Sequence, residues 1–201
     1  RKIAGDLKIL LIGGSIPERE GDKIYNTSYI INEDGDVIGK HRKVHLFDID
    51  VKGGITFFES HSLTAGDEIA VVDTSFGKIG VAICYDIRFP ELFRKMVLDG
   101  ARYLFIPAAF NTVTGPAHWE ILTRARALDN QVYLAIASPA RSSESSYKAY
   151  GHSLIVDPWG EIVDQLDEKE SILVVEIDPD MVDNVRGELP ILKHRKPLVY
   201  E

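Results

Sequence analysis

The chain has 201 residues, about one domain's worth or slightly more. At 45% hydrophobic and 27% charged it has the balance of an ordinary globular protein, and a chain this long buries roughly 70% of its unfolded surface, which argues against intrinsic disorder. With 23 basic and 31 acidic residues the net charge is −8, which argues against a general phosphate-backbone binder.

In chain order, Leu7 to Ile12 is a run apolar at every position but Lys8, ended by Gly13-Gly14-Ser15, and it reads as a strand. Residues 24–31 and 37–43 flank Asn32-Glu33-Asp34-Gly35-Asp36, a hairpin signal with Asp-Gly at its centre. Residues 69–74 and 78–84 flank Ser75-Phe76-Gly77 as a second hairpin. A helix is predicted from Pro90 to Asp99, stopped by Gly100, with Leu92, Met96 and Val97 as its apolar stripe. Short buried strands are predicted at Tyr103–Ile106 and Val132–Ala137, around a second helix from Pro116 to Asp129. Residues 153–156 and 161–165 form a third hairpin across Asp157-Pro158-Trp159-Gly160. Ile172 to Ile177 reads as the last strand, and Pro179 to Val185 as a third helix. Hairpins mixed with strand-helix-strand units imply mixed sheets with helices outside them, and this many strands implies two packed sheets in one continuous domain over residues 1–201.

Cys84 is the sole cysteine, so no disulfide forms within the chain and the paired-cysteine zinc and redox motifs are absent. A lone thiol fits a reducing compartment, so a cytoplasmic location is expected, or a mitochondrial one in a eukaryote. No apolar run approaches the ~20 residues of a membrane span, and neither a membrane nor a nucleic acid is expected as a partner. The chain begins at Arg1 rather than Met and reaches its first strand within seven residues, which reads as a processed chain or a fragment.

Cys84 closes an apolar strand a few residues before the helix at Pro90. Such a turn lifts a nucleophile out of a sheet and points backbone N–H groups at the atom it attacks; the helix N-terminus would favour thiolate. A buried structural cysteine is the alternative. Lys43, in His41-Arg42-Lys43-Val44-His45, could lower the thiol's pKa and hold an oxyanion, or belong to a solvated basic loop. Glu120 has Arg124 at i+4, so it is either one half of a helical ion pair or a carboxylate that orients a lysine. His118 reads as a loop or cap residue. The spacing of His41, His45 and His61 matches no zinc template.

The segment Gly80-Val81-Ala82-Ile83-Cys84-Tyr85-Asp86-Ile87-Arg88-Phe89-Pro90-Glu91-Leu92 resembles the nucleophile segment of the nitrilase superfamily of carbon-nitrogen hydrolases. Tyr25-Asn26-Thr27, His41-Arg42-Lys43-Val44-His45-Leu46-Phe47 and Gly115-Pro116-Ala117-His118-Trp119-Glu120 agree with it in order. Within the superfamily the omega-amidase branch is the nearest match, through His45-Leu46-Phe47-Asp48-Ile49-Asp50, Ala137-Ser138-Pro139-Ala140-Arg141 and Tyr150-Gly151-His152-Ser153. The resemblance implies a four-layer α-β-β-α sandwich whose first portion is missing here, assembled as a homodimer or larger homo-oligomer. It implies hydrolysis of the terminal amide of dicarboxylate monoamides such as 2-oxoglutaramate and 2-oxosuccinamate, with no metal or organic cofactor.

Carried over residue by residue, Cys84 is the nucleophile, Lys43 the catalytic lysine, Glu120 the supporting glutamate and the Tyr85 N–H the second oxyanion donor. Arg88 and Arg141 are the candidates for the substrate's free carboxylate, and Phe110, Asn111 and Thr114 are expected to wall the pocket. The family's general-base glutamate lies upstream of the strand near Leu7; Glu18, Glu20 and Glu33 do not match it, so the 201-residue chain alone is expected to turn over poorly if at all. The alternatives are another amidase or nitrilase of this superfamily, or an inactive scaffold or binding protein.

Overall fold

The computed structural model describes residues 1–50 and 56–200. A short helix, α1 (Lys2–Leu7), comes first. It ends where Lys8 turns left-handed at φ 52° and returns its N–H to Ala4, so only β1 (Leu11–Ile12) remains of the strand expected from Leu7 onward. β1 and β2 (Ile16–Glu20) lie one after the other along one edge of β3 (Lys23–Ile31), and β4 (Val37–Arg42) pairs on the other edge, all antiparallel. The β3–β4 turn follows the sequence signal. Asn32 Oδ1 accepts the N–H groups of Asp34 and Asp36, and Gly35 takes φ 81° between them.

A two-stranded pair follows, β5 (Asp48–Asp50) with β6 (Thr56–Phe58), which the sequence did not suggest. The second sheet contains six strands: β7 (Ala70–Thr74), β8 (Gly77–Val81), β9 (Tyr103–Pro107), β10 (Tyr133–Ala137), β11 (Leu154–Val156) and β12 (Ile162–Gln165). They lie side by side in sequence order. β8, β9 and β10 are parallel, so each step between them needs a crossover. The crossovers are α2 (Pro90–Leu98) and α3 (Gly115–Asn130), the two helices expected.

Period-two alternation assigns the two faces of β8. Ile79 and Val81 pack with Ile30 of the first sheet, beside Tyr103 and Tyr133. On the other face Gly80 leaves room for α2: a Cβ there would stand 2.7 Å from Leu104 Cδ2 and 3.0 Å from Met96 Sδ. On that side Leu92, Phe93, Met96 and Val97 of α2 and Trp119 and Ala127 of α3 close over Leu104, Ile106, Leu134 and Ile136. The layers run helices, sheet, sheet, in the order of the α-β-β-α sandwich.

α4 (Met181–Glu188) begins two residues later than expected and places Val182 against Tyr133. A last turn, α5 (Pro197–Tyr200), was not foreseen. The strand expected at Ile172–Ile177 is absent: no strand among the described residues carries its ladder, and Ile172 and Val174 are 85% and 83% exposed. No described helix is long and apolar enough to cross a membrane.

Phe93 of α2 is fully buried in the core between the helices and the second sheet. Phe93→Ala should lower stability by about 3–5 kcal/mol in denaturant unfolding, through lost transfer energy and the cavity left behind. A loss under about 1 kcal/mol would mean that α2 does not anchor the sheet in this way.

Candidate active site

β8 stops at Val81, although the Ala82 N–H still donates to Phe105 O and extends the ladder by one residue. The chain then leaves the sheet through a tight turn over Cys84–Arg88 and enters α2 with Pro90 in its first turn. Cys84 itself has φ 48°, a left-handed conformation that costs a non-glycine residue roughly 1–2 kcal/mol. Strain of this kind persists only where the surroundings enforce it.

Asp86 is part of those surroundings. Its carboxylate is fully buried and receives four N–H groups. Oδ2 accepts from Ile83 N and His41 Nε2, both at 2.9 Å; Oδ1 accepts from His45 N at 2.9 Å and His45 Nδ1 at 2.8 Å. Burial alone would push this carboxyl up, but the bonds from His41, His45 and Ile83 outweigh it and hold it at about 2. It is ionised at neutral pH, so both imidazole nitrogens facing it carry protons.

Lys43 follows β4 and is 2% exposed. Its N–H donates to Asn26 O at 2.8 Å, and its carbonyl accepts from Gly66 N at 2.9 Å. Glycine is required at position 66, because a Cβ there would lie 2.3 Å from Arg42 O. Lys43 Nζ donates to Glu59 Oε2 at 2.5 Å, and the same oxygen accepts the Phe47 N–H at 2.7 Å.

Cys84, Lys43 and Glu59 line one cavity of about 730 Å³. Of the residues expected around it, Tyr85, Arg88, Phe110, Asn111 and Thr114 are present. Arg88 holds its guanidinium 5.1 Å from the Phe110 ring centroid and 5.7 Å from that of Tyr85, with Nη2 3.3 Å from His118 Nδ1. No carboxylate among the described residues pairs with it. Asn111 Oδ1 accepts the N–H groups of Val113 and Thr114 and so shapes the entry to α3. Asn26, Phe47, Phe57, Ser138 and Tyr147 complete much of the wall. The Tyr147 hydroxyl donates to Ala109 O, and burial raises its pKa to about 12.

Two expected residues are elsewhere. Glu120 lies on the exposed side of α3, its side chain 52% exposed and paired with Arg124 at 3.4 Å, so the helical ion pair describes it and the supporting role does not. Arg141 donates to the carbonyls of Ala149 and Tyr150, outside the cavity. The carboxylate on Lys43 is Glu59, which the sequence did not single out. Its segment, Phe57-Phe58-Glu59-Ser60-His61, carries no motif. Glu18 and Glu20 bind Arg42, and Glu33 binds Ser75; none of the three lines the cavity. No described cluster of His, Cys, Asp and Glu could hold a metal ion.

The thiol also departs from expectation. Burial pushes the Cys84 pKa up; Lys43 pulls it down by less, while Glu59 and Asp86 push the same way as burial. Burial therefore favours the neutral thiol over the thiolate at Cys84.

The cavity thus brings a buried thiol and a fixed ammonium group together. The carbon-nitrogen hydrolase family model matches residues 1–187, and the chain belongs to that family. Omega-amidase NIT3 of Saccharomyces cerevisiae is 53% identical over 200 residues, which are 98% of this chain and 69% of NIT3. Omega-amidase NIT2 of Mus musculus is 50% identical over 199 residues, 99% of this chain and 72% of NIT2. The crystal structure of S. cerevisiae Nit3, described as a member of branch 10 of the nitrilase superfamily, superposes with a TM-score of 0.89 over 97% of this chain and 69% of Nit3, at 50% identity. The C. elegans NitFhit protein gives 0.93 over 100% of this chain and 50% of its own, at 38% identity. These relatives place the chain in the omega-amidase branch of the superfamily.

Two outcomes follow from the geometry. With its pKa raised, Cys84 should be alkylated by iodoacetamide at neutral pH more slowly than free cysteine, and the rate should keep climbing with pH above about 8.5, where a free thiol is half ionised; a rate at or above that of free cysteine at pH 7 would show that Lys43 outweighs burial. In hydrolase assays Glu59→Gln should lower kcat by about 10²-fold by releasing Lys43, while Glu120→Ala should stay within about twofold of the parent. The reverse ranking would return the supporting role to Glu120.

Proposed function

We propose that this protein hydrolyses the terminal amide of small dicarboxylate monoamides, of the 2-oxoglutaramate and 2-oxosuccinamate type, to acid and ammonia through a thioester on Cys84. The observation that carries the substrate class is Arg88. It is a cation in the wall of the nucleophile's cavity, flanked by aromatic rings and unpaired with any described carboxylate. A free carboxylate on the substrate would complete it, with Thr114 beside it on the same wall.

The chemistry follows from the positions. A base removes the Cys84 proton and the sulfur attacks the amide carbon. Lys43 has donors left after its bond to Glu59, and the Tyr85 N–H stands at the start of a helical turn, where such groups lack an internal acceptor. Together they hold the oxyanion. Ammonia leaves with a proton, and water then cleaves the thioester, returning the thiol and releasing the acid. Glu59 has its Oε2 committed to Lys43 and Phe47, and acts by positioning the lysine. Glu18, Glu20 and Glu33 are held elsewhere, so the base is assigned to the glutamate that the family resemblance implies upstream of Leu7.

The test is ammonia release from 2-oxoglutaramate and succinamate, beside butyramide, which has no carboxylate. Cys84→Ala should abolish turnover of all three, and Lys43→Ala should lower kcat by ~10²–10³-fold. Arg88→Met should raise KM for the two carboxylates and leave butyramide unaffected. Equal effects of Arg88→Met on all three would remove the carboxylate from the substrate; full activity of Cys84→Ala would remove the thioester.

A further inference from the structure

His41 lies in β4, Lys43 directly follows the strand, and His45 sits in the bend after it; contacts bring both histidines to Asp86 and Lys43 into the cavity of Cys84. Asp86 comes two residues after the cysteine. His41 reaches Oδ2 through Nε2, and His45 reaches Oδ1 through its N–H and Nδ1. The His45 ring also stacks on Phe89 at 3.6 Å and 6°, and the Phe89 N–H donates to Asp86 O.

We propose that Asp86 is a positioning residue for the reaction: by gripping the histidines on either side of Lys43 it sets the root of that lysine against Cys84. Glu59 fixes the ammonium end, and Asp86 fixes the backbone from which the four-carbon stem starts. Packing alone does not explain such an arrangement. A buried carboxylate with two histidines is a costly filler where an apolar group of similar volume would serve. The histidine geometry points the same way, since His41 Nδ1 is buried without a described partner, an unfavourable feature that the Nε2 bond to Asp86 must outweigh. The same carboxylate also takes the Ile83 N–H, one residue before the cysteine.

This inference rests on Cys84 and Lys43 being the reacting pair, and the experiment separates the two readings. With ammonia release from 2-oxoglutaramate as the readout, Asp86→Asn replaces one acceptor oxygen by an NH₂ that faces donors. It should lower kcat per folded molecule by about 10²-fold with KM within about twofold. His45→Phe keeps the ring on Phe89 and loses the Nδ1 bond; it should lower kcat about tenfold and leave the melting temperature near that of the parent. In a Lys43→Ala background, Asp86→Asn should cost less than about twofold more, because it acts through the lysine. A purely structural role predicts lower melting temperatures, parental kcat per folded molecule and losses that multiply with Lys43→Ala. Any of those last two results overturns the proposal, and His45→Phe decides alone if Asp86→Asn does not fold. Parental kcat in both variants with Cys84→Ala inactive sinks only this proposal. Turnover by Cys84→Ala sinks the reading on which it rests.

Discussion

A buried carboxylate with four N–H donors is the constraint on which the site depends. Removing an ionised carboxylate from water costs several kcal/mol unless donors replace the water, and Asp86 has two on each oxygen. Because the folded pKa, about 2, lies below the ordinary value, this stabilisation is complete above the unfolded carboxylate range and is lost as pH falls through about 2. At neutral pH the charge is permanent, and a permanent charge can define geometry. It ties the end of β4 to the turn after β8, which belong to different sheets.

The position of the cavity follows from the parallel strands. β8, β9 and β10 run in one direction, and the residues that follow their carboxyl ends, Cys84 and Tyr85, Ala108 to Asn111, and Ser138 and Pro139, form one wall. Ligand sites in open parallel sheets lie at this end, where the loops fan out from a rigid base. The first sheet contributes the opposite side through Asn26 and the residue after β4, Lys43. Thus Cys84 and Lys43 come from separate sheets, and Ile30 packs with Ile79 and Val81 where those sheets meet.

Much of this was legible in the sequence where the signal is local. Gly35 and Gly160 occupy turns at positive φ between paired strands, and Gly77, also at positive φ, opens β8 directly after its turn, as these residue types suggested. Pro90 and Gly100 bound α2 for equally local reasons. Family resemblance supplied Cys84, Lys43 and the cavity wall around Arg88. What failed was what depends on the chain returning through space. Glu59 reaches Lys43 only because the segment after β6 folds back on it, and nothing in the intervening residues advertises that. Glu120 has an arginine one helical turn away, and the helix itself accounts for it. Ile172 to Ile177 is a largely apolar run rich in β-branched residues, but such a run reports a propensity and not a partner with free hydrogen-bonding groups. Arg141 was assigned by its loop, yet carbonyls of Ala149 and Tyr150 claim it.

The raised thiol pKa gives these parts a common logic. A resting thiolate would already be paired with Lys43, and that attraction would have to be weakened before the lysine could serve the oxyanion. Here burial keeps the sulfur neutral, and Lys43 balances Glu59 instead. In the proposed mechanism, negative charge enters the cavity as the proton leaves and passes from sulfur to the substrate oxygen, where the remaining Lys43 donors and the Tyr85 N–H would meet it. An interaction stronger in the transition state than in the ground state is what lowers a barrier, and a cation held in place beforehand by a carboxylate needs no reorganisation to supply it. The proposed mechanism therefore couples the placement of Cys84 and Lys43 to a base that takes the proton, because burial disfavours the thiolate.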